Sequence, residues 1–161
     1  MEQRSATQQA PAPVSVHFVN NVLAAAASYV DDEPDQARDV LAELSAFLSY
    51  RLRTEPLEVP LAQELDHVGV YIRLQQARFP DRVQAELPAR GQAPDVRVMR
   101  SAVQEPVARL LGERLGQHPG PARLVLRALS DGSALEAEVS EPGGGGLARV
   151  HIPLRLEVAP T

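Results

Sequence analysis

The sequence contains no cysteine among its 161 residues, which removes disulfides, thiol nucleophiles and thiolate metal ligands from consideration. That absence fits a reducing compartment, and a cytoplasmic location is the expectation. Tryptophan is also absent, and aromatic residues make up only 4%. A core must therefore be built from Leu, Val and Ala. Lysine is missing too, so all 16 basic residues are arginines. They are outnumbered by 21 acidic residues, for a net charge of −5, which argues against nucleic acid or an anionic membrane surface as a partner. No apolar run approaches the roughly 18–20 residues needed to cross a bilayer. The opening MEQRSATQQAPAP is polar, lacks the apolar stretch of a signal peptide and reads as a disordered lead over 1–13. The four histidines include no His-x-x-x-His pair, so no metal centre is expected. No Gly-x-Ser-x-Gly elbow is present to suggest a hydrolase. Asparagine occurs only at Asn20 and Asn21.

What is present is ordinary globular material, 44% hydrophobic and 23% charged, long enough for one domain or two small ones sharing a core. Helical periodicity runs from Val14 to Tyr29 through Val19, Val22, Leu23, Ala26 and Val30. VDDEPD breaks it, with Asp32 the expected N-cap of a second helix over Pro34–Arg53. That helix carries an apolar stripe of Ala37, Val40, Leu41, Leu44, Phe47, Leu48 and Leu52. The short link makes the two helices an antiparallel hairpin. A lone hairpin leaves its stripe half covered, so pairing of two hairpins into a homodimeric four-helix bundle is expected.

TEPLEVP reads as a linker, and a third helix is predicted over Leu61–Phe79. The period then changes. RVQAELP (82–88) alternates like a strand, and a helix is predicted from about Glu105, with Pro106 in its first turn and Gly116 past its end. Residues 122–141 read as a β-hairpin turning at Asp131-Gly132. GGGG (143–146) is a flexible loop before a last strand over 147–158, and the tail looks loose. The expected fold class is α+β: a helical hairpin over 14–55, then an α/β unit over 56–161.

Three stretches in register resemble the LytS-type sensor histidine kinases. VHFVNN keeps His17, Phe18 and Asn21 of a phosphoacceptor box that reads PHFLFN in the family. DEPDQARDVLAELSAFLSYRLR (32–53) tracks the family's second helix. VPLAQELDHVGVYIRLQQARFPDRVQAEL (59–87) tracks the next segment, with Tyr71, Arg78, Phe79, Asp81 and Arg82 matching in order. The resemblance implies a dimerising hairpin that carries a phosphoacceptor histidine, followed by a Bergerat-type ATP-binding sandwich. It also implies a response-regulator receiver as partner. His17 is the implied phosphoacceptor, and Asn21, four residues on and on the same helical face, is placed to orient it. Arg51 and Arg53 are candidates to meet a partner's acidic pocket, or simply complement the helix dipole.

The resemblance also exposes losses. Where the family reads LQPLVENAIKHG, this chain reads VQEPVARLLGER, so Ala108 stands for the glutamate and Arg109 for the magnesium-holding asparagine. With no asparagine downstream of Asn21, no slip of the alignment restores one. Glu141 stands at the adenine-reading aspartate, about 1.5 Å too long for the same hydrogen bond. GGGG leads almost directly to the final strand where the family has an ATP lid. The expectation is a reduced, degenerate ATP domain that holds no ATP, magnesium or other cofactor. Three readings stay open: a phosphotransferase relaying through His17, a non-catalytic pseudokinase scaffold for a regulator, and an active kinase with an unconventional ATP site.

Overall fold

The computed structural model describes residues 14–89 and 91–154; the expected lead over 1–13 and the end of the last strand lie outside them. Ser15 starts helix α1 (Val16–Tyr29) by accepting the Phe18 N–H at 3.2 Å. Helix α2 (Pro34–Arg51) has the expected first-turn proline, but Glu33 rather than Asp32 is its N-cap and makes no side-chain cap bond. The segment read as a linker contains a short strand, β1 (Glu58–Pro60), which pairs antiparallel with β3 (Arg97–Met99). Three-residue strands are too short to show an alternation, which is why periodicity passes over both. Between them lie α3 (Leu61–Arg78) and β2 (Val83–Glu86). Helix α4 (Gln104–Gln117) runs through Gly116 rather than stopping before it. Strands β4 (Ala122–Ala128), β5 (Ala134–Ser140) and β6 (Ala148–Pro153) complete a mixed sheet of order β2-β4-β5-β6, in which β2 runs parallel to β4 and the other pairs are antiparallel. The β4–β5 turn falls at Asp131-Gly132 as expected; Asp131 accepts from Ser133 N at 2.9 Å and Gly132 takes φ +70.

The α1–α2 hairpin forms, but it is not left bare. Helix α3 packs on both of its helices, and Tyr29 donates from its hydroxyl to the Ala77 carbonyl at 2.7 Å. The inward face of α2 is Ala37, Val40, Leu44, Phe47 and Tyr50. Leu41 and Leu52, counted into that face by periodicity, point outward at 47% and 66% exposure. The argument that an uncovered stripe demands a second hairpin is thereby corrected, because this chain's own α3 covers it. One buried cluster runs from Val22 of α1 through Val68 and Leu111 to Ile152, across the boundary expected at 55/56.

Glu64 ties this arrangement together. Its carboxylate is fully buried and accepts three backbone N–H bonds, from Ser101 at 3.0 Å, Val103 at 3.1 Å and Gln104 at 2.9 Å, together with the Tyr50 hydroxyl. Helix α4 has no side-chain cap of its own. The carboxylate from α3 takes that place, satisfying orphan N–H groups at the positive end of the α4 dipole. Ser101 turns the chain into position with a left-handed φ of +72, a strained value for a residue with a Cβ. Burial, with Glu64 alongside, pushes the Tyr50 hydroxyl pKa upward, so it remains a donor.

Glu64→Ala strands three buried N–H groups at once, at about 1–3 kcal/mol each. We expect a loss of at least about 3 kcal/mol in urea-induced unfolding. A change under about 1 kcal/mol contradicts this role. His67 stacks on the Tyr50 ring with centroids 3.6 Å apart, and burial lowers its pKa below the ordinary 6.5. The unfolded chain therefore takes up the proton first as pH falls. The stability held by the neutral ring is full above about pH 6.5 and drains below it until the folded ring protonates. His67→Gln should flatten that part of the stability–pH curve, measured as unfolding midpoints between pH 5 and 8.

Candidate functional site

Consecutive residues on a helix point about 100° apart, and at the head of α1 this sends His17 out and Phe18 in. Phe18 meets Phe47 of α2 at 5.3 Å and Tyr71 of α3 at 5.5 Å between ring centroids. His17 stays exposed. One turn on, Asn21 Nδ2 lies 3.1 Å from His17 Nε2. An amide N–H donated across this contact requires an unprotonated Nε2, with the ring proton on Nδ1.

His17 stands at a cavity of about 450 Å³ enclosed by the head of α1, the C-terminal half of α2, the end of α3 and one face of α4. All three phenylalanines of the chain, Phe18, Phe47 and Phe79, line it. In a chain this poor in aromatics, their convergence on one cavity marks a built site. Its floor is a hydrogen-bonded file. Arg78 donates to Gln75 Oε1 at 3.0 Å, Gln75 Nε2 to the Tyr71 hydroxyl at 2.7 Å, and that hydroxyl to the Ala108 carbonyl at 3.1 Å. Burial pushes the Tyr71 phenol up to about 12, so it remains a donor across the working pH range.

His17, Arg51 and Ala108 all line this cavity, and Asn21 touches His17. Arg51 is turned into the chain: its side chain is 7% exposed and meets Glu105 Oε1 at 3.3 Å. Arg53 is exposed. Arg109 and Glu141 do not line the cavity; Arg109 is exposed, and Glu141 pairs with Arg114 at 3.0 Å. Tyr71, Gln75 and Arg78 are site residues that sequence reasoning left unassigned. Their i, i+4, i+7 spacing puts them on one helical face, and that spacing was the available signal. A second groove, of about 590 Å³ between α2 and α3, is bordered by the two-bond Arg73–Glu43 pair, at 2.6 and 3.2 Å.

Residues 6–83 match the family described as histidine kinase. Over most of its length the chain is similar to LytS-type sensors. It is 25% identical over 135 residues to the sensor protein LytS of Bacillus subtilis (strain 168) and 25% identical over 133 residues to the sensor histidine kinase BtsS of Escherichia coli (strain K12). Sensor protein LytS of Enterococcus faecalis (strain ATCC 700802 / V583) is 27% identical over 137 residues. Each alignment takes in 83% of this chain but only 23 or 24% of the relative, so the chain spans about a quarter of the length of these sensors. No helix among the described residues is long and apolar enough to cross a membrane.

Removing the Asn21 amide should release the His17 ring to the ordinary tautomer mixture. The ring ¹⁵N shifts of Asn21→Ala should move toward Nε2 protonation; shifts identical to the parent exclude the bond in solution. Tyr71→Phe breaks two bonds of the buried file and should cost about 1–3 kcal/mol of unfolding free energy, read by urea titration.

Proposed function

We propose that this chain is a histidine-kinase-like signalling protein of a two-component or phosphorelay pathway, in which His17 exchanges a phosphoryl group with the aspartate of a response-regulator receiver, without ATP-dependent autophosphorylation. The observation that carries the reading is the exposed His17, its Nε2 3.1 Å from the Asn21 amide at the edge of the aromatic cavity. In the transfer, Nε2 attacks the phosphorus of the receiver's acyl phosphate. The N–P bond forms, the P–O bond to the aspartyl carboxylate breaks, and the ring loses its Nδ1 proton to solvent. Asn21 holds the nucleophile before attack and is free to donate to a phosphoryl oxygen after it.

A magnesium nucleotide does not fit the residues that the family resemblance aligns with its site. Ala108 offers a methyl group where a carboxylate is needed, and Arg109 is an exposed cation in place of the metal-holding amide. The Glu141 carboxylate is engaged by Arg114, whose side chain is only 7% exposed. The Arg114 guanidinium lies so close to Gly146 that a Cβ there would sit 2.9 Å from Nη1, which leaves no gap between α4 and the polyglycine loop at that point. In this reading 14–55 is the docking and dimerisation hairpin and 56–161 a degenerate ATP-type domain. A second copy is the proposed cover for the outer face of the hairpin. Val16, Leu23 and Val30 recur at seven-residue spacing and stay 72%, 43% and 54% exposed, the spacing of a helix-bundle seam.

Incubation of the full chain with radiolabelled ATP, and separately with a phosphorylated receiver, tests the proposal. Label is expected only from the receiver, and is abolished by His17→Ala. Label from ATP establishes the kinase reading instead, and receiver binding without label establishes the scaffold. Leu23→Glu should convert a dimer to monomer in sedimentation velocity; an unchanged sedimentation coefficient counts against the seam.

A further inference from the structure

We propose that Arg78 is the phosphoryl-binding residue of the His17 site, its guanidinium taking the phosphoryl oxygens while the group sits on the ring nitrogen. The inference rests on the reading of His17 as the acceptor and adds the counter-charge that reading lacks. A phosphoryl group carries close to two negative charges, and neither His17 nor Asn21 supplies a fixed positive one. Two arginines line the cavity. Arg51 is ion-paired with Glu105. Arg78 has no carboxylate partner among the described residues; Arg82 and Arg100 likewise meet only backbone carbonyls, but neither lines the cavity.

Arg78 is also held in the manner of a binding group. One donor is spent on Gln75 Oε1, and through Gln75 and Tyr71 the side chain is moored to the α4 backbone at Ala108. Its plane is flanked by Phe79, 4.8 Å from Cζ, and by Phe18, at 5.7 Å. Phe18 directly follows His17 in the chain, and His17, Phe18 and Arg78 all line the same cavity. A guanidinium has five N–H donors; with one in use, an edge remains for a two-bond contact with phosphoryl oxygens. Partial burial strips water from this cation and lowers its pKa, so an incoming dianion meets a poorly hydrated charge.

Phosphoramidate provides a test that needs neither nucleotide nor receiver. His17 Nε2 attacks phosphorus, an N–P bond forms to the ring, the P–N bond of phosphoramidate breaks and ammonia leaves. Loading of His17 in the full chain is followed by ³¹P NMR and peptide mass spectrometry, with His17→Ala as the background from the other histidines. Charge-assisted bonds of this kind correspond to about tenfold or more in rate. We therefore expect Arg78→Gln to load His17 at least about tenfold more slowly, and Arg78→Lys to recover part of the rate as a point charge without the fork. Gln75→Glu, which leaves Arg78 in place but pairs it with a carboxylate, should slow loading similarly. It serves as the readout if Arg78→Gln loses its thermal transition. Parent-like loading in Arg78→Gln or Gln75→Glu overturns the role of Arg78 and leaves the reading of His17 intact. Absence of phosphoryl on His17 in the parent chain overturns both.

Discussion

The structure depends on one buried carboxylate. An ionised group inside a protein is costly unless donors surround it, and Glu64 has four: the N–H groups of Ser101, Val103 and Gln104 and the Tyr50 hydroxyl. These donors come from α2, from the turn before α4 and from α4 itself, while the carboxylate comes from α3. A single side chain therefore sets the relation of three helices. It also sets the cavity, because three of that cavity's walls are α2, α3 and α4. The left-handed Ser101 places its N–H on the Glu64 carboxylate at 3.0 Å.

With the helices placed, the chemistry of the site becomes a matter of charge accounting. Arg51 meets Glu105 and Arg114 meets Glu141, which leaves those positions with paired charge. Arg78 carries its charge against aromatic faces and an amide instead. An exposed imidazole that shares its cavity with a guanidinium lacking a carboxylate partner among the described residues suits an anionic group arriving from outside. The same accounting extends to α4 beyond the cavity, where Arg109 is exposed and Arg114 holds the Glu141 carboxylate at 3.0 Å.

Helix α3 gives the molecule its cohesion. It covers the inner face of the hairpin, carries Glu64 to α4 and supplies Tyr71, Gln75 and Arg78 to the cavity. A motif running along such a helix reports packing and site at once, because successive turns present successive parts of one face to different neighbours. Tyr71 shows both roles: its ring packs on Phe18 while its hydroxyl spans from Gln75 to Ala108.

Much of this was legible in the residues. The hairpin, the third helix, the Asp131-Gly132 turn and the family follow from local periodicity, turn chemistry and motif order, which act over a few residues and so are written in the chain. Leu41 and Leu52 were misread because a period reports which residues share a face, not which neighbour covers it. The β1–β3 ribbon was missed because each strand is stable only against the other, forty residues away in the sequence. The pairing of Glu64 with α4, the inward turn of Arg51 and the uncompensated charge on Arg78 belong to the same class. Each is decided by which long-range partner packing supplies, and an ionised side chain reads the same in sequence whether a counter-charge waits for it or not.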